Sequence, residues 1–240
     1  MGTSCPAPDE VHVWHADVDE IAKDAESITR YEHALSLGER ERLRRYRLDR
    51  DRFMFLGGRI MARALVGSAL GRNGGGWQWR DGERGRPEIA EPETSLRFNL
   101  AHSAGLVVCA LANARAVGVD VEDRARAAID RGVVRRYCSP EEADDIEAQG
   151  AEWRDRFLIY WTLKEAYLKA RGLGIAVPLA EIAFTLEPDI RIGFRGSLAG
   201  TDADWSFHLS YPTERHIVAV ATPGSKPRVV ENRWQWPSGT

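Results

Sequence analysis

The alternation of apolar and polar positions divides the chain into two runs that repeat each other. "RFNLAHSAGLVVCALA" (97–112) reads as a strand, a short turn and a second, more apolar strand. "SFHLSYPTERHIVAVA" (206–221) lines up with it without a gap, and "VHVWHADVDE" (11–20) matches "VGVDVEDRAR" (117–126) as the opening strand of each half. Helical periodicity takes over in "RDRFMFLGGRIMARALVGSALG" (50–71) and "RDRFLIYWTLKEAYLKARGLG" (154–174), which both open on Arg-Asp-Arg-Phe and close on Leu-Gly. Ahead of these helices, Ser36 and Ser139 stand three residues before Glu39 and Glu142, a capping-box signature, and Pro140 strengthens the second start. The order of the matches predicts an α+β chain of two similar lobes, a pseudo-duplication over 1–115 and 116–240, each a long helix packed on a small antiparallel sheet. The Gly-rich "GRNGGGWQWRDGERGRP" (71–87) is expected to be loop and turn. The tail after Pro223 is expected to be peripheral, with its tryptophans docked on the surface.

Composition narrows the class without identifying an activity. The 240 residues, 43% hydrophobic and 29% charged, suit a soluble globular chain of one large or two small domains. A net charge of −3 gives no global argument for nucleic acid or membrane as partner. Three cysteines, an odd number without CxxC spacing, suggest neither a disulfide framework nor zinc, so a reducing compartment is expected. No apolar run approaches the roughly 18 residues of a membrane span, and "MGTSCPAPDE" lacks the pattern of a secretory signal. A cytoplasmic location follows as the expectation.

Charge placed inside apolar patterning is the candidate chemistry. Asp120 and Glu122 lie two apart in "VGVDVEDR", so in a strand they share one face while Val119 and Val121 take the other. Two such acids repel unless one is protonated or a cation sits between them, and hard divalent cations take oxygen ligands. On the pair alone, a solvated edge strand is the commoner explanation. In the later helix, Trp161, Glu165, Leu168 and Lys169 fall on neighbouring turns of one stripe. An intrahelical Glu165–Lys169 pair would be the bland account, but Leu163, Ala166 and Tyr167 around it ask for burial. Against the first-half repeat, Lys164 and Glu165 stand where Ile60 and Met61 do, so the charges are additions to one copy of a shared scaffold. The seven arginines of 39–52 interleave with Glu39, Glu41, Asp49 and Asp51, which favours a solvated helix face over a nucleic-acid platform.

Taken in order, "GRP" (85–87), "FNLAHS" (98–103), "GVDVE" (118–122) and "WTLKEAYLKARG" (161–172) resemble the 4′-phosphopantetheinyl transferases over residues 35–180. The nearest type is the larger, single-chain, two-lobed kind serving polyketide and nonribosomal peptide synthase carrier proteins. The resemblance implies transfer of the phosphopantetheine arm of coenzyme A to a serine of an apo acyl or peptidyl carrier protein, releasing adenosine 3′,5′-bisphosphate. The site would lie in the cleft between the lobes. Asp120, Glu122 and Glu165 would hold Mg²⁺, with Glu165 also the candidate base for the serine proton. Lys169 would neutralise the pyrophosphate, and Lys164 would add to the coenzyme A contacts. Arg42 and His102 would meet the 3′-phosphate, with Arg86 and Pro87 on the adenine side. The other arginines of 39–52 would face an acidic carrier helix. Two departures stand out: Arg86 replaces the family's usual lysine, and Ala101 replaces a hydroxyl residue, which implies one phosphate contact fewer. Coenzyme A and a carrier protein are the implied partners, with no nucleic acid, no membrane and a monomeric chain. The alternative, a non-catalytic carrier- or coenzyme A-binding scaffold of the same fold, predicts a broken acid set, and Asp120, Glu122, Glu165 and Lys169 are all present.

Overall fold

The computed structural model describes residues 4–23, 25–72, 76–82, 87–126, 129–174 and 177–236. Its first half runs β1 (Glu10–Asp17), α1 (Ala25–His33), α2 (Leu37–Arg45), α3 (Asp49–Ala69), β2 (Gln78–Asp81), β3 (Pro87–Glu91), β4 (Leu96–Ser103) and β5 (Leu106–Asn113). The second runs β6 (Gly118–Asp123), α4 (Arg131–Tyr137), α5 (Pro140–Ala148), α6 (Trp153–Arg171), β7 (Ile182–Thr185), β8 (Arg191–Phe194), β9 (Trp205–Thr213), β10 (His216–Pro223) and β11 (Arg228–Arg233). The order of element types, one strand, three helices and four strands, is the same in both halves, and β11 follows.

The strand registers repeat as well. β1 and β4 flank β5 as β6 and β9 flank β10, all antiparallel. Val13 faces Ala110 as Val119 faces Val220, and Phe98 faces Leu111 as Phe207 faces Ala221. In that register Trp14 and Ala16 occupy the positions that Asp120 and Glu122 occupy in β6. Each sheet carries a long helix: α3 buries Leu56, Met61 and Leu65 with Cys109 and Leu111, and α6 buries Leu163 and Ala166 with Ile217 and Ala219. The opposite faces of the two sheets share a third core in which Val11, Val13 and Ala110 join Val119, Val121, Val218 and Val220. This seam fixes the two lobes against each other by apolar burial.

Both capping boxes form. Glu39 N–H donates to Ser36 Oγ at 3.3 Å while Ser36 N–H donates to Glu39 Oε2 at 2.9 Å, and Ser139 and Glu142 do the same at 3.3 and 2.8 Å. Glu39 is not part of a solvated face, because it is buried and receives Arg63 Nη2 at 2.5 Å and Arg59 Nε at 3.4 Å. Two further expectations are corrected. "QWRD" in the Gly-rich stretch forms β2, paired with β3. The tail supplies β11, which adds to β1 in parallel and so joins the other lobe's sheet, with Trp236 Nε1 donating to the Asp17 carbonyl at 2.7 Å. The first sheet is therefore mixed rather than purely antiparallel. Among the described residues, no helix is long and apolar enough to cross a membrane.

Candidate active site

The acid-bearing strand β6 lies directly on α6. Gly118 permits it: any side chain there would meet the helix backbone at Ala166 and Ala170. The strand's alternation then sends Val119 and Val121 into the seam and turns Asp120 and Glu122 toward α6. Lys169 Nζ meets Asp120 Oδ1 at 2.6 Å, and Trp161 Nε1 donates to Glu122 Oε1 at 2.9 Å. Arg126 closes on the second Glu122 oxygen at 3.3 Å. The Lys169–Asp120 ion pair thus joins helix to strand. Trp161 is itself held by Tyr137 and Phe157, with ring centroids 5.3 and 6.1 Å away.

Electrostatics marks this cluster. Burial raises the pKa of Asp120, with Lys169 opposing. Burial and then the Asp120 charge raise Glu122, and the same two causes raise Glu165, again against Lys169. Asp120 Oδ2 and Glu165 Oε1 are buried without a hydrogen-bond partner, a costly state for a carboxylate. Among the described residues, no three His, Cys, Asp or Glu side chains stand at metal-ligand spacing. The three acids interact through space, yet Lys169, Trp161 and Arg126 hold two of them separately. The oxygen donors, and the two partnerless atoms in particular, suit a hard divalent cation such as Mg²⁺.

From the other lobe, β4 brings His102 within electrostatic reach of Lys169. Crowding around its ring lowers the His102 pKa, Lys169 and Arg42 lower it further, and Asp51 opposes them. The side chain is nevertheless open to solvent. Arg42 lies over the Phe55 ring at 5.2 Å and lines a groove with Gly38, Arg45 and Tyr46. His102, Arg42, Lys169 and Asp120 therefore belong to one neighbourhood built by both lobes. Pro87 opens β3, while Arg86 lies outside the described residues. Ala101 is buried in the seam on the opposite face of β4 from His102, so a hydroxyl at that position would face the core and not the His102 wall.

Lys164 requires correction. Its ammonium is buried at 1% exposure, 2.6 Å from Glu142 Oε2, and donates to the Tyr137 and Leu179 carbonyls at 2.8 and 2.9 Å. It locks α6 to α5 and is not placed to touch a ligand. Three residues join the site that sequence reasoning did not assign: Trp161 and Arg126 on Glu122, and Asn99, whose Oδ1 accepts the Val119 N–H at 2.9 Å. Trp161 stands one turn before Glu165 on the stripe already noted; the other two carry no sequence signal.

Residues 116–221 match the family model of the 4′-phosphopantetheinyl transferase superfamily, and residues 22–114 match that of the 4′-phosphopantetheinyl transferase N-terminal region. A phosphopantetheinyl transferase of Thraustochytrium sp. is 33% identical over 227 residues, covering 89% of this chain and 79% of the relative. The 4′-phosphopantetheinyl transferase HetI of Nostoc sp. is 32% identical over 219 residues, 90% of this chain and 89% of its own. A 4′-phosphopantetheinyl transferase of Bacillus subtilis is 31% identical over 158 residues, 65% and 68% of the two chains.

Proposed function

The chain belongs to the 4′-phosphopantetheinyl transferase superfamily, and we propose that it transfers the arm of coenzyme A to a carrier-protein serine with Mg²⁺, releasing adenosine 3′,5′-bisphosphate. The observation that most supports this reading is that Asp120 and Glu165, each with a buried partnerless oxygen, interact electrostatically with each other and with Lys169, which also acts on His102 together with Arg42. A phosphate-rich substrate needs cations along its length and a hard-metal site at the reacting phosphoryl group.

Asp120, Glu122 and Glu165 would hold the metal, with Glu122 exchanging Arg126 for it. When bound, Mg²⁺ would stabilise charge developing on the pyrophosphate oxygens. Lys169 would neutralise the pyrophosphate. Glu165, whose Oε1 has no hydrogen-bond partner of its own, would take the serine proton. Arg42 and His102 would hold the 3′-phosphate, and Arg86 with Pro87 the adenine side. The exposed arginines Arg44 and Arg47 would attract an acidic carrier helix; a charge reversal at either that leaves carrier affinity unchanged would remove them from that role. Polyketide or peptide-synthase carriers in the cytoplasm are the proposed acceptors. A monomer would suffice, since Asp120 and Lys169 of one lobe and His102 and Arg42 of the other come within electrostatic reach of each other in one chain.

The test is intact mass of an apo carrier protein after incubation with this chain, coenzyme A and Mg²⁺, beside Glu165→Gln. A gain of about 340 Da, the mass of the arm, in the first tube alone supports the assignment. A gain in both removes Glu165 as an essential base, and no gain with several carriers sinks the reading.

A further inference from the structure

We propose that Asn99 is a positioning residue that pins the acid-bearing strand β6 across the seam between the lobes. β6 is the edge of its sheet, with β10 on one side only, and β4 is the edge of the other sheet. An edge strand leaves every second N–H without a ladder partner, and in a buried seam such a group is costly. Val119 N–H is one of these, and its partner is a side chain from the other lobe: Asn99 Oδ1, at 2.9 Å in a buried bond. Asn99 itself is 5% exposed, and Ala101, Val119 and Val121 around it are buried in the shared core.

The location of this bond gives it a role beyond cohesion. Asp120 is the next residue after Val119, and it carries the Lys169 contact and a partnerless oxygen. Asn99 stands three residues before His102 on a strand held in register by β5, where Asn99 faces Ala110 and His102 faces Val107. One amide thus ties the strand of His102 to the strand of Asp120. The valines of the seam resist separation of the lobes, but apolar contact is non-directional and does not by itself set how far β6 sits along β4. The β10 ladder fixes which face of β6 carries the carboxylates, but it does not fix where β4 sits along that strand. A directional hydrogen bond at Val119 specifies where His102 on β4 stands relative to Asp120 on β6.

The kinetic part of this inference rests on the transferase reading; the structural part does not. The test uses the full chain with Asn99→Ala, which removes the acceptor, and Asn99→Asp, which keeps the shape and an acceptor oxygen. Hydrogen exchange at the Val119 amide is read in each, at a temperature where circular dichroism shows the chain folded, together with transfer kinetics on an apo carrier. Asn99→Ala is expected to exchange Val119 at least about tenfold faster. It should also lower kcat by about tenfold or more while the KM for coenzyme A stays within about twofold. Asn99→Asp should restore protection and most of kcat. Unchanged Val119 protection in Asn99→Ala would overturn the proposal. So would lost protection with unchanged kcat, an effect confined to KM, or failure of Asn99→Asp to recover either readout. If the unaltered chain modifies no carrier, the transferase reading fails, and the exchange measurement still decides whether Asn99 holds β6.

Discussion

Gly118 lies so close to α6 that a Cβ built on it would stand 2.1 Å from the Ala166 carbonyl oxygen and 2.4 Å from the Ala170 nitrogen. Both atoms are helix backbone, so no rotamer can relieve the clash. Gly118→Ala is expected to push β6 off the helix and cost at least about 3 kcal/mol, the upper range for overpacking, with transfer activity lost as Asp120 leaves Lys169. Gly58→Ala is the control, because Gly58 sits inside α3 with nothing within 4 Å of its Cβ position. That variant should gain about 0.5–1 kcal/mol from helix propensity. Urea midpoints compare the two, and similar values would contradict the packing argument.

The opening alternation carried much of this fold because each strand has one face in a core and one elsewhere. Asp120 and Glu122 could be assigned to a common face from their spacing alone. Trp14 and Ala16 stand at the equivalent places of β1, so these two acids, like Lys164 and Glu165, are additions to one copy. What stayed hidden depends on contacts between distant residues. β11 joins β1 through chain ends over two hundred residues apart, and nothing local in "RVVENR" announces a parallel partner. Lys164 was misplaced because adjacent helix residues point about 100° apart, so its neighbour Glu165 stands with Asp120 and Glu122 while Lys164 faces α5. Asn99 gives no signal, because a side chain bonding a foreign backbone has no characteristic spacing.

Lys164 leads to a second expectation. Its ammonium and the Glu142 carboxylate are both buried to within 1%, and Glu142 Oε1 also accepts the Phe184 N–H at 2.8 Å. Lys164→Met would leave Glu142 charged and only partly satisfied, at a cost of about 3–5 kcal/mol. Lys164→Met with Glu142→Gln should recover part of that loss. Coenzyme A affinity of the folded single variant should stay within about twofold; a loss of affinity at full stability would return Lys164 to the ligand site.

Trp161→Phe separates two duties of one side chain. The ring keeps its place between Tyr137 and Phe157, while the Nε1 bond to Glu122 disappears. The stability loss should be about 1 kcal/mol, the size of one hydrogen bond. Glu122 then rests on Arg126 alone, which is half exposed. A fall in kcat of about tenfold, larger than the stability change explains, is expected from steady-state transfer assays. A variant equal to the unaltered chain would show that Glu122 needs no indole to orient it.

The far end of β6 is held by an acid whose titration can be followed. Arg215 Nε and Nη2 donate to Asp123 Oδ1 and Oδ2 at 2.7 and 2.6 Å, and Ala125 N–H donates to Oδ1 at 3.0 Å. The Arg215 hydrogen bonds hold the Asp123 carboxyl below its usual range, although burial works the other way. In the unfolded chain this carboxyl titrates near its ordinary value of about 3.9. The folded state therefore binds fewer protons there, and the pair stabilises the fold fully above that value. The contribution is lost as pH falls from about 4 through the lower folded pKa. The stability difference between the unaltered chain and Arg215→Gln should be largest near pH 7 and shrink as pH drops toward 3, read from urea midpoints across that span. A difference that holds constant or grows on acidification would mean that the Arg215 contact does not set the ionisation of Asp123, and that β6 owes its end to the Gly118 packing and the seam alone.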